Sequence, residues 1–177
     1  MYPEVPNMEY ILAVDLGATN IRVALGTRDG KILSKVKEKT IRHGDEYAIA
    51  NQIVKIIREH FPNAVKQSLG LGIGTIGPLD LKKGRIVNPA NLPFDTVELK
   101  KPLEEKLGLE VRILNDAVAA VWGEKVFGAG KNVKNIVYVT LSTGIGAGII
   151  VDNHLLIGKD GNAHEVGHIV VDFNGTM

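Results

Sequence analysis

Apolar residues near the start of the chain fall in short runs separated by turn-forming residues, as in a sheet of short strands. The first run, residues 9–15, ends in the carboxylate of Asp15 and predicts a buried strand with an acid at its tip. A second strand is predicted over 21–25, and Asp29-Gly30 predicts a hairpin turn before a third strand over 32–37. The chain therefore opens with three strands joined by tight turns.

The apolar pattern then changes from a period of two to a helical period. Isoleucines recur on one face of a predicted helix that Asp45 caps and Pro62 stops. Further strands are predicted over 69–74 and 111–114, and further helices over 102–107, ended by Gly108, and 117–126. Residues 88–93 are dominated by Pro and Asn and predict an ordered loop.

The opening pattern recurs after Gly128–Asn132, a stretch that predicts a hinge. A strand over 135–141, a small-residue turn and a returning strand over 147–151 repeat the strand–turn–strand order. A repeat of this kind predicts two related lobes that face a shared cleft. We therefore expect an α/β protein with one lobe over residues 1–126 and the start of a second lobe over 127–177.

Composition and charge narrow the classes of function. The 177 residues suffice for one full domain or two small lobes, and the net charge of +1 gives no electrostatic case for binding nucleic acid or an anionic membrane. No apolar run reaches the length of a membrane span, and the acidic-polar start does not match a secretory signal, so a cytoplasmic protein is expected. The lack of Cys excludes disulfides and thiolate metal ligands.

The turn between the first two strands carries candidate phosphate chemistry. Gly17 lets backbone N–H groups approach a phosphate, Thr19 and Asn20 can donate hydrogen bonds, and Asp15 is placed to hold Mg²⁺ through water. A hairpin turn with a polar cap explains the same residues without any ligand.

The turn of the second lobe follows the same logic, with candidate phosphate contacts at Ser142, Thr143 and Gly144. Alone, this turn is also explained by small residues in a tight bend. Two such turns at the mouths of matched hairpins favour a phosphate clamp more than either does alone.

Asn115-Asp116 follows a predicted buried strand and opens a helix. A carboxylate at a helix N-terminus is stabilised as the anion, so Asp116 is explained by capping alone. In a phosphoryl-transfer site, an Asp in such a position accepts the proton of the attacking hydroxyl. Both interpretations remain open for Asp116.

Three further motif matches fail in context. Gly72–Gly77 fits G-x-G-x-x-G but no clear helix follows it, and Gly128–Asn132 lacks the spacing of a P-loop. His164–His168 fits the H-E-x-x-H pattern of zinc hydrolases, which needs a helix with both His residues on one face. Gly167 lies inside the match and residues 169–171 predict a strand, so a zinc hydrolase is a minor alternative.

Taken together and in this order, the segments resemble the ROK sugar kinases, which belong to the actin-like/hexokinase ATPase superfamily with its ribonuclease H-like α/β fold. The segments that carry the resemblance are Asp15–Asn20, Gly72–Asp80, Asn88–Leu92, Leu114–Ala117, Leu141–Gly148 and Gly161–His168. The resemblance implies ATP-dependent phosphorylation of a hexose, glucose or an N-acetyl hexosamine, at its 6-hydroxyl, with ATP and Mg²⁺ as cofactors.

The resemblance also implies roles for single residues. Asp116 is the expected base, and the expected sugar contacts are Asn91, Asn115, Asp116, Glu165 and His168. His168 is in addition a candidate zinc ligand, although His164 replaces the Gly usual in that signature. The zinc site of the family needs a Cys cluster after a segment like residues 171–175, so structural zinc is not expected in this chain.

The second lobe is short for such a kinase, whose lobes have about 100–150 residues each. Three hypotheses therefore remain: an active hexose kinase, a non-catalytic sugar-binding fragment of one, and the zinc hydrolase. A sugar-responsive repressor is disfavoured because no helix-turn-helix precedes residue 9. An incomplete second lobe would expose apolar surface, so association between copies or low solubility is expected.

Overall fold

The computed structural model describes residues 9–142, 144–159 and 161–175. The strands are β1 (Tyr10–Leu16), β2 (Asn20–Thr27), β3 (Ile32–Lys39), β4 (Ser68–Thr75), β5 (Leu79–Asp80), β6 (Arg85–Val87), β7 (Thr96–Glu98), β8 (Val111–Asn115), β9 (Ile136–Leu141), β10 (Ile145–Val151) and β11 (His154–Leu155). The α-helices are α1 (Ala48–His60), α2 (Lys100–Leu107) and α3 (Asp116–Val126), and 3₁₀ turns span Val65–Gln67 and Val166–His168.

Two compact units divide the chain between Asp116 and Ala117. The first unit holds a five-stranded sheet in the order β3-β2-β1-β4-β8. The first three strands pair antiparallel, whereas β1 pairs with β4 and β4 with β8 in parallel. The predicted hairpin strands and both later strands of this unit are therefore present, each within two residues of the predicted bounds or extended beyond them.

Helix α1 covers one face of this sheet. Its buried isoleucines, Ile49, Ile53, Ile56 and Ile57, belong to the same core as Leu12 and the other alternate apolar residues of β1. The spacing of the isoleucines places them on one side of the helix, and alternation along the strand places its apolar residues on one side of the sheet.

The start of α1 differs from the prediction. The helix begins at Ala48 and its N-cap position is Tyr47, without a side-chain cap. Asp45 instead accepts a hydrogen bond from the backbone N–H of Tyr47 at 3.0 Å, which makes a turn before the helix. The helix ends at His60, two residues before Pro62, as predicted.

A small three-stranded sheet, β5-β6-β7, was not predicted. Its strands have only two or three residues, which is too short for an alternating pattern to be recognised. Arg85 on β6 lies opposite Glu98 on β7 and donates to its carboxylate at 2.9 Å. The predicted ordered loop of residues 88–93 connects these two strands.

The second unit holds the sheet β11-β10-β9 with α3. Gly148 on β10 lies so close to α3 that a Cβ there would be 2.3 Å from the carbonyl oxygen of Ala117. The predicted boundary between residues 126 and 127 would group α3 with the first lobe, whereas its contacts group it with the second unit.

The strand predicted over residues 169–171 is wrong. These residues form no strand, and their side chains are exposed. Within the part of the chain that the structure describes, no neighbouring strand pairs with them, and an apolar run alone does not make a strand. No helix among the described residues is long and apolar enough to cross a membrane.

Candidate functional site

The carboxyl ends of three parallel strands meet at one edge of the first unit's sheet. In the register, Leu16 on β1 lies beside Thr75 on β4, which in turn lies beside Asn115 on β8. Because neighbouring strands lie about 4.8 Å apart, the ends of β1 and β8 are separated by about 10 Å. Asp15, Asn115 and Asp116, predicted from separate motifs, therefore lie along one edge, which we call the strand-end edge.

The turn after β1 is held in a defined shape. The N–H of Gly17 donates to the carbonyl of Asn20 at 3.0 Å, and the same carbonyl lies 3.3 Å from where a Cβ on Gly17 would sit. The buried hydroxyl of Thr40 donates to the carbonyl of Gly17 at 2.7 Å, and the N–H of Thr40 donates to the carbonyl of Thr19 at 3.1 Å. Thr40 thus fixes the turn from the neighbouring chain segment.

Asp15 already has a cationic partner. It lies opposite Arg22 in the β1–β2 register, and the Arg22 guanidinium contacts its carboxylate at 2.5 Å. Both side chains are about half exposed, at 56% for Asp15 and 46% for Arg22. A pair exposed to this degree is only weakly stabilising, so the carboxylate remains accessible to a cation in solution.

Arg42, which the sequence analysis did not single out, joins two predicted site segments. Its guanidinium donates to the carbonyl of Ala18 at 3.3 Å, in the turn after β1, and to the carbonyl of Asn91 at 3.0 Å. The predicted sugar residue Asn91 is exposed, and its loop is anchored by the buried Leu92. From sequence alone, Arg42 could not be told from an ordinary solvated charge.

Asn115 and Asp116 lie where β8 passes directly into α3. Asn115 is half-buried and Asp116 is exposed at the first residue of the helix. Gly77, in the loop after β4, lies beside Asn115, since a Cβ on Gly77 would be 3.9 Å from its side-chain nitrogen. This position suits both the capping and the catalytic interpretation of Asp116.

Thr75 is a second residue that the sequence analysis missed. It is fully buried at the end of β4, between Leu16 and Asn115. Within the described residues its hydroxyl has no hydrogen-bond partner. A buried hydroxyl without a hydrogen-bond partner lowers the stability of the fold. The packing of β4 therefore gives no reason for a threonine, instead of a valine, at position 75.

The remaining predicted residues belong to the second unit. Ser142 and Gly144 are exposed in the β9–β10 turn, where the N–H of Ser142 donates to the carbonyl of Gly144 at 2.9 Å. Thr143 lies outside the described residues. Glu165 and His168 are exposed, with a carboxylate oxygen of Glu165 lying 3.9 Å from Nε2 of His168.

The H-E-x-x-H segment does not adopt the geometry of a zinc hydrolase. It forms a 3₁₀ turn at Val166–His168, and the side chain of His164 is 4% exposed whereas that of His168 is 85% exposed. The two imidazoles therefore do not share one helix face. Across the described residues, no group of three or more His, Asp and Glu side chains could hold a metal ion.

Two shifted pKa values belong to structural pairs away from this edge. The hydrogen bond that Arg85 donates to the carboxylate of Glu98 raises the pKa of Arg85 in the small sheet. The hydrogen bond from the Thr27 hydroxyl lowers the pKa of Asp29 in the β2–β3 hairpin. The hairpin lies at the end of β2 opposite to Asn20, so Asp29 is a suitable control position for substitutions at the strand-end edge.

The chain is similar to known proteins over nearly its whole length. The sequence model described as the ROK family matches residues 11–177. A glucokinase of Pyrobaculum calidifontis is 45% identical over 94% of this chain and 51% of its own length. The xylose repressor of Bacillus subtilis is 38% identical over 94% of this chain and 44% of its own length.

Among solved structures, a ROK family glucokinase from Streptomyces griseus in complex with glucose and AMPPNP superposes with a TM-score of 0.76 at 36% identity. The alignment covers 92% of this chain and 51% of that one. This chain thus spans about half the length of the relatives it matches. The predicted fold class, a partial actin-like ATPase fold of the hexokinase type, is confirmed.

Proposed function

Because this chain belongs to the ROK family, we propose that it carries the phosphate turn and the catalytic segment of an ATP-dependent hexose kinase. The observation that carries the proposal is the strand-end edge, where the Asp15–Asn20 turn and Asn115-Asp116 lie at the ends of β1 and β8, on either side of β4. Relatives named glucokinase match both segments across nearly the whole chain. We also propose the cytoplasm, where ATP is available, as the location.

In the proposed reaction, the 6-hydroxyl oxygen of a hexose attacks the γ-phosphorus of ATP. A new oxygen–phosphorus bond forms as the bond between the γ-phosphorus and the bridging oxygen breaks, and ADP leaves with that electron pair. Asp116 accepts the hydroxyl proton. A carboxylate suffices for this step, because the transition state is loose and catalysis rests on positioning and charge neutralisation.

The phosphates of ATP would lie against the turn after β1, with backbone N–H groups and the side chains of Thr19 and Asn20 as donors. Thr40 holds the turn through hydrogen bonds to the carbonyls of Gly17 and Thr19, so the turn would need little further ordering when a phosphate binds. In the second unit, Ser142, Thr143 and Gly144 are the proposed second set of phosphate contacts.

The residues present fit a Mg²⁺ ion. Mg²⁺ is commonly held by one or two carboxylates together with waters and substrate phosphates, and Asp15 offers an accessible carboxylate next to the phosphate turn. When bound, the ion would neutralise charge on the transferring phosphoryl group. Asp15 would hold the ion, and the ion pair between Asp15 and Arg22 would then be partly broken.

For the sugar, we propose contacts from Asn91, Asn115, Glu165 and His168. Asn115 beside Gly77 can supply an amide that both donates and accepts hydrogen bonds, as a sugar hydroxyl requires. The glucose in the Streptomyces griseus relative supports a hexose as the substrate. We propose glucose or an N-acetyl hexosamine.

A sugar-binding protein without catalysis is the second candidate, since the xylose repressor of Bacillus subtilis matches the same 94% of the chain. The two candidates differ in their products. The chain is incubated with ATP, Mg²⁺ and a panel of hexoses, and phosphorus NMR detects any sugar 6-phosphate, while calorimetry measures sugar binding. Product formation supports the kinase. Sugar binding without product supports the second candidate. If neither product nor sugar binding is detected, both candidates are contradicted.

A further inference from the structure

Arg42 joins two loops of the first unit through a single side-chain nitrogen. Its Nη1 donates to the carbonyl of Ala18 at 3.3 Å and to the carbonyl of Asn91 at 3.0 Å. A guanidinium Nη1 carries two hydrogens, so it can serve both carbonyls at once. Ala18 lies in the turn proposed to bind phosphate, and Asn91 lies in the loop between β6 and β7 that is proposed to bind sugar. We call this pair of hydrogen bonds the Arg42 bridge.

The segment that carries Arg42 is itself fixed to helix α1. The side-chain nitrogen of Gln52 on α1 donates to the carbonyl of Lys39 at 2.8 Å, and its side-chain oxygen accepts from the backbone N–H of Ile41 at 2.9 Å. Between these two residues, Thr40 donates its hydroxyl to the phosphate turn at 2.7 Å. Arg42 therefore follows a segment that is held on both sides and does not project from a free loop.

Both ends of the Arg42 bridge are attached to the core. Ala18 is partly buried and packs against the core of the first unit. Leu92, the neighbour of Asn91, is 6% exposed, and its N–H donates to the carbonyl of Pro89 at 3.3 Å. Because turn, loop and bridging segment are each anchored, the position of the Ala18 carbonyl decides whether Nη1 can reach the loop as well.

We propose that Arg42 is a positioning residue that couples the two sites, so that a phosphate chain at the turn strengthens the binding of a hexose at the loop. This coupling rests on the proposed function, because phosphate and hexose are the ligands of that function. A bound phosphate orders the turn and fixes the Ala18 carbonyl, and Nη1 then holds the Asn91 loop in one shape. Hexose binding costs less loop ordering when the turn is occupied. By linkage, the hexose strengthens phosphate binding by the same factor.

Direct attraction between the Arg42 guanidinium and a bound phosphate would be a different role. Charge attraction strengthens phosphate binding whether or not a sugar is present, whereas the bridge acts on the joint binding of both ligands. Both hydrogens of Nη1 are already used by the two carbonyls, which favours the bridge.

The test measures how each ligand changes the affinity of the other. Calorimetry gives the Kd of a hexose with and without magnesium tripolyphosphate, which supplies a phosphate chain without adenosine, and the reverse titration gives the Kd of tripolyphosphate. The hexose is glucose or N-acetylglucosamine, whichever binds more tightly. We expect each ligand to lower the Kd of the other by about fivefold or more. Arg42→Ala should reduce this mutual effect to less than about twofold.

Two further variants serve as controls. Arg58→Ala should leave the mutual effect unchanged, since Arg58 donates to the carbonyl of Lys106, outside both loops. Arg42→Lys keeps the positive charge, but the ammonium nitrogen of lysine lies one bond nearer to the backbone than Nη1 and does not reach both carbonyls. We therefore expect Arg42→Lys to lose the mutual effect as Arg42→Ala does.

A mutual effect that survives in Arg42→Ala or in Arg42→Lys would overturn the proposal. Hexose and tripolyphosphate that both bind the unsubstituted chain without changing each other's Kd would also overturn it, and this outcome leaves the proposed function standing. If either ligand fails to bind, the proposed function is contradicted and the coupling with it.

Discussion

Thr40 and Thr75 are both buried in the first unit, but only the side-chain hydroxyl of Thr40 has a hydrogen-bond partner among the described residues. Thr40 donates its hydroxyl to the carbonyl of Gly17, whereas the hydroxyl of Thr75 has no partner within the described residues. Burial of a hydroxyl is compensated when it is bonded and costs free energy when it is not. Thr75 lies next to Asn115 in the register of β4 and β8, and the burial of its hydroxyl is not compensated there.

Replacing each threonine by valine should therefore have opposite effects. Thr75→Val should raise the free energy of unfolding by about 1 kcal/mol, and Thr40→Val should lower it by about 1–2 kcal/mol. Urea unfolding followed by circular dichroism measures both. An equal loss in both variants would show that the Thr75 hydroxyl does have a stabilising partner.

At the level of elements, the sequence predicts those parts of the fold that local chemistry determines. Gly108 ends α2 in the left-handed conformation, with φ of 67°, and Asp29-Gly30 forms the β2–β3 hairpin. Asp15–Asn20 and Asn115-Asp116 were each predicted at the end of a strand, but their place along one edge follows from the sheet order β1-β4-β8, which was not predicted. The link from Arg42 to Ala18 and Asn91 could not, because these residues are far apart in sequence and meet only in the folded chain.

Removing this link should loosen the loop that carries Asn91 without unfolding the first unit. We expect Arg42→Ala to speed hydrogen exchange at the Leu92 amide, which donates to the carbonyl of Pro89, and to weaken sugar binding by about threefold to tenfold. Arg58→Ala is the matched control, since Arg58 likewise donates to a backbone carbonyl, that of Lys106. Equal effects of both variants on sugar binding would contradict this role of Arg42.

The packing of α3 on its sheet depends on Gly148. A Cβ there would meet the Ala117 carbonyl at 2.3 Å, so Gly148→Ala should destabilise the second unit by roughly 1–3 kcal/mol. Gly72→Ala on β4 is the control, because a Cβ at Gly72 has no atom within 4 Å among the described residues. The fluorescence of Trp122 on α3 follows unfolding of this unit. If the Gly148→Ala variant is as stable as the Gly72→Ala variant, α3 moves away from the added methyl group without loss of stability, and the prediction is wrong.

At the scale of the whole molecule, burial is uneven. The first unit has its core between α1 and one face of the sheet. In the second unit, Val137, Val139 and Leu141 on β9 are 60%, 51% and 76% exposed, and Val171 and Phe173 are 95% and 96% exposed. Sequence patterning predicted the repeated hairpin, but it could not show which copy is covered. Coverage depends on contacts made by other parts of the fold.

We therefore expect the chain alone to self-associate as its concentration rises. Analytical ultracentrifugation should show the average mass increasing with concentration, and Val139→Glu should reduce the increase, because it places a charge among exposed apolar side chains. A single monomer species at low and high concentration would contradict this expectation.

The central claim is that Asp116 is the base of a hexose kinase, and its most direct test compares Asp116→Asn with the control Asp29→Asn. Sugar-dependent ATP turnover is measured in the presence of Mg²⁺, and calorimetry measures sugar binding. We predict that Asp116→Asn lowers turnover by about 100-fold or more while sugar binding changes little, and that Asp29→Asn leaves both unchanged. Turnover that survives in Asp116→Asn, or no sugar-dependent turnover in the unsubstituted chain, would contradict the account.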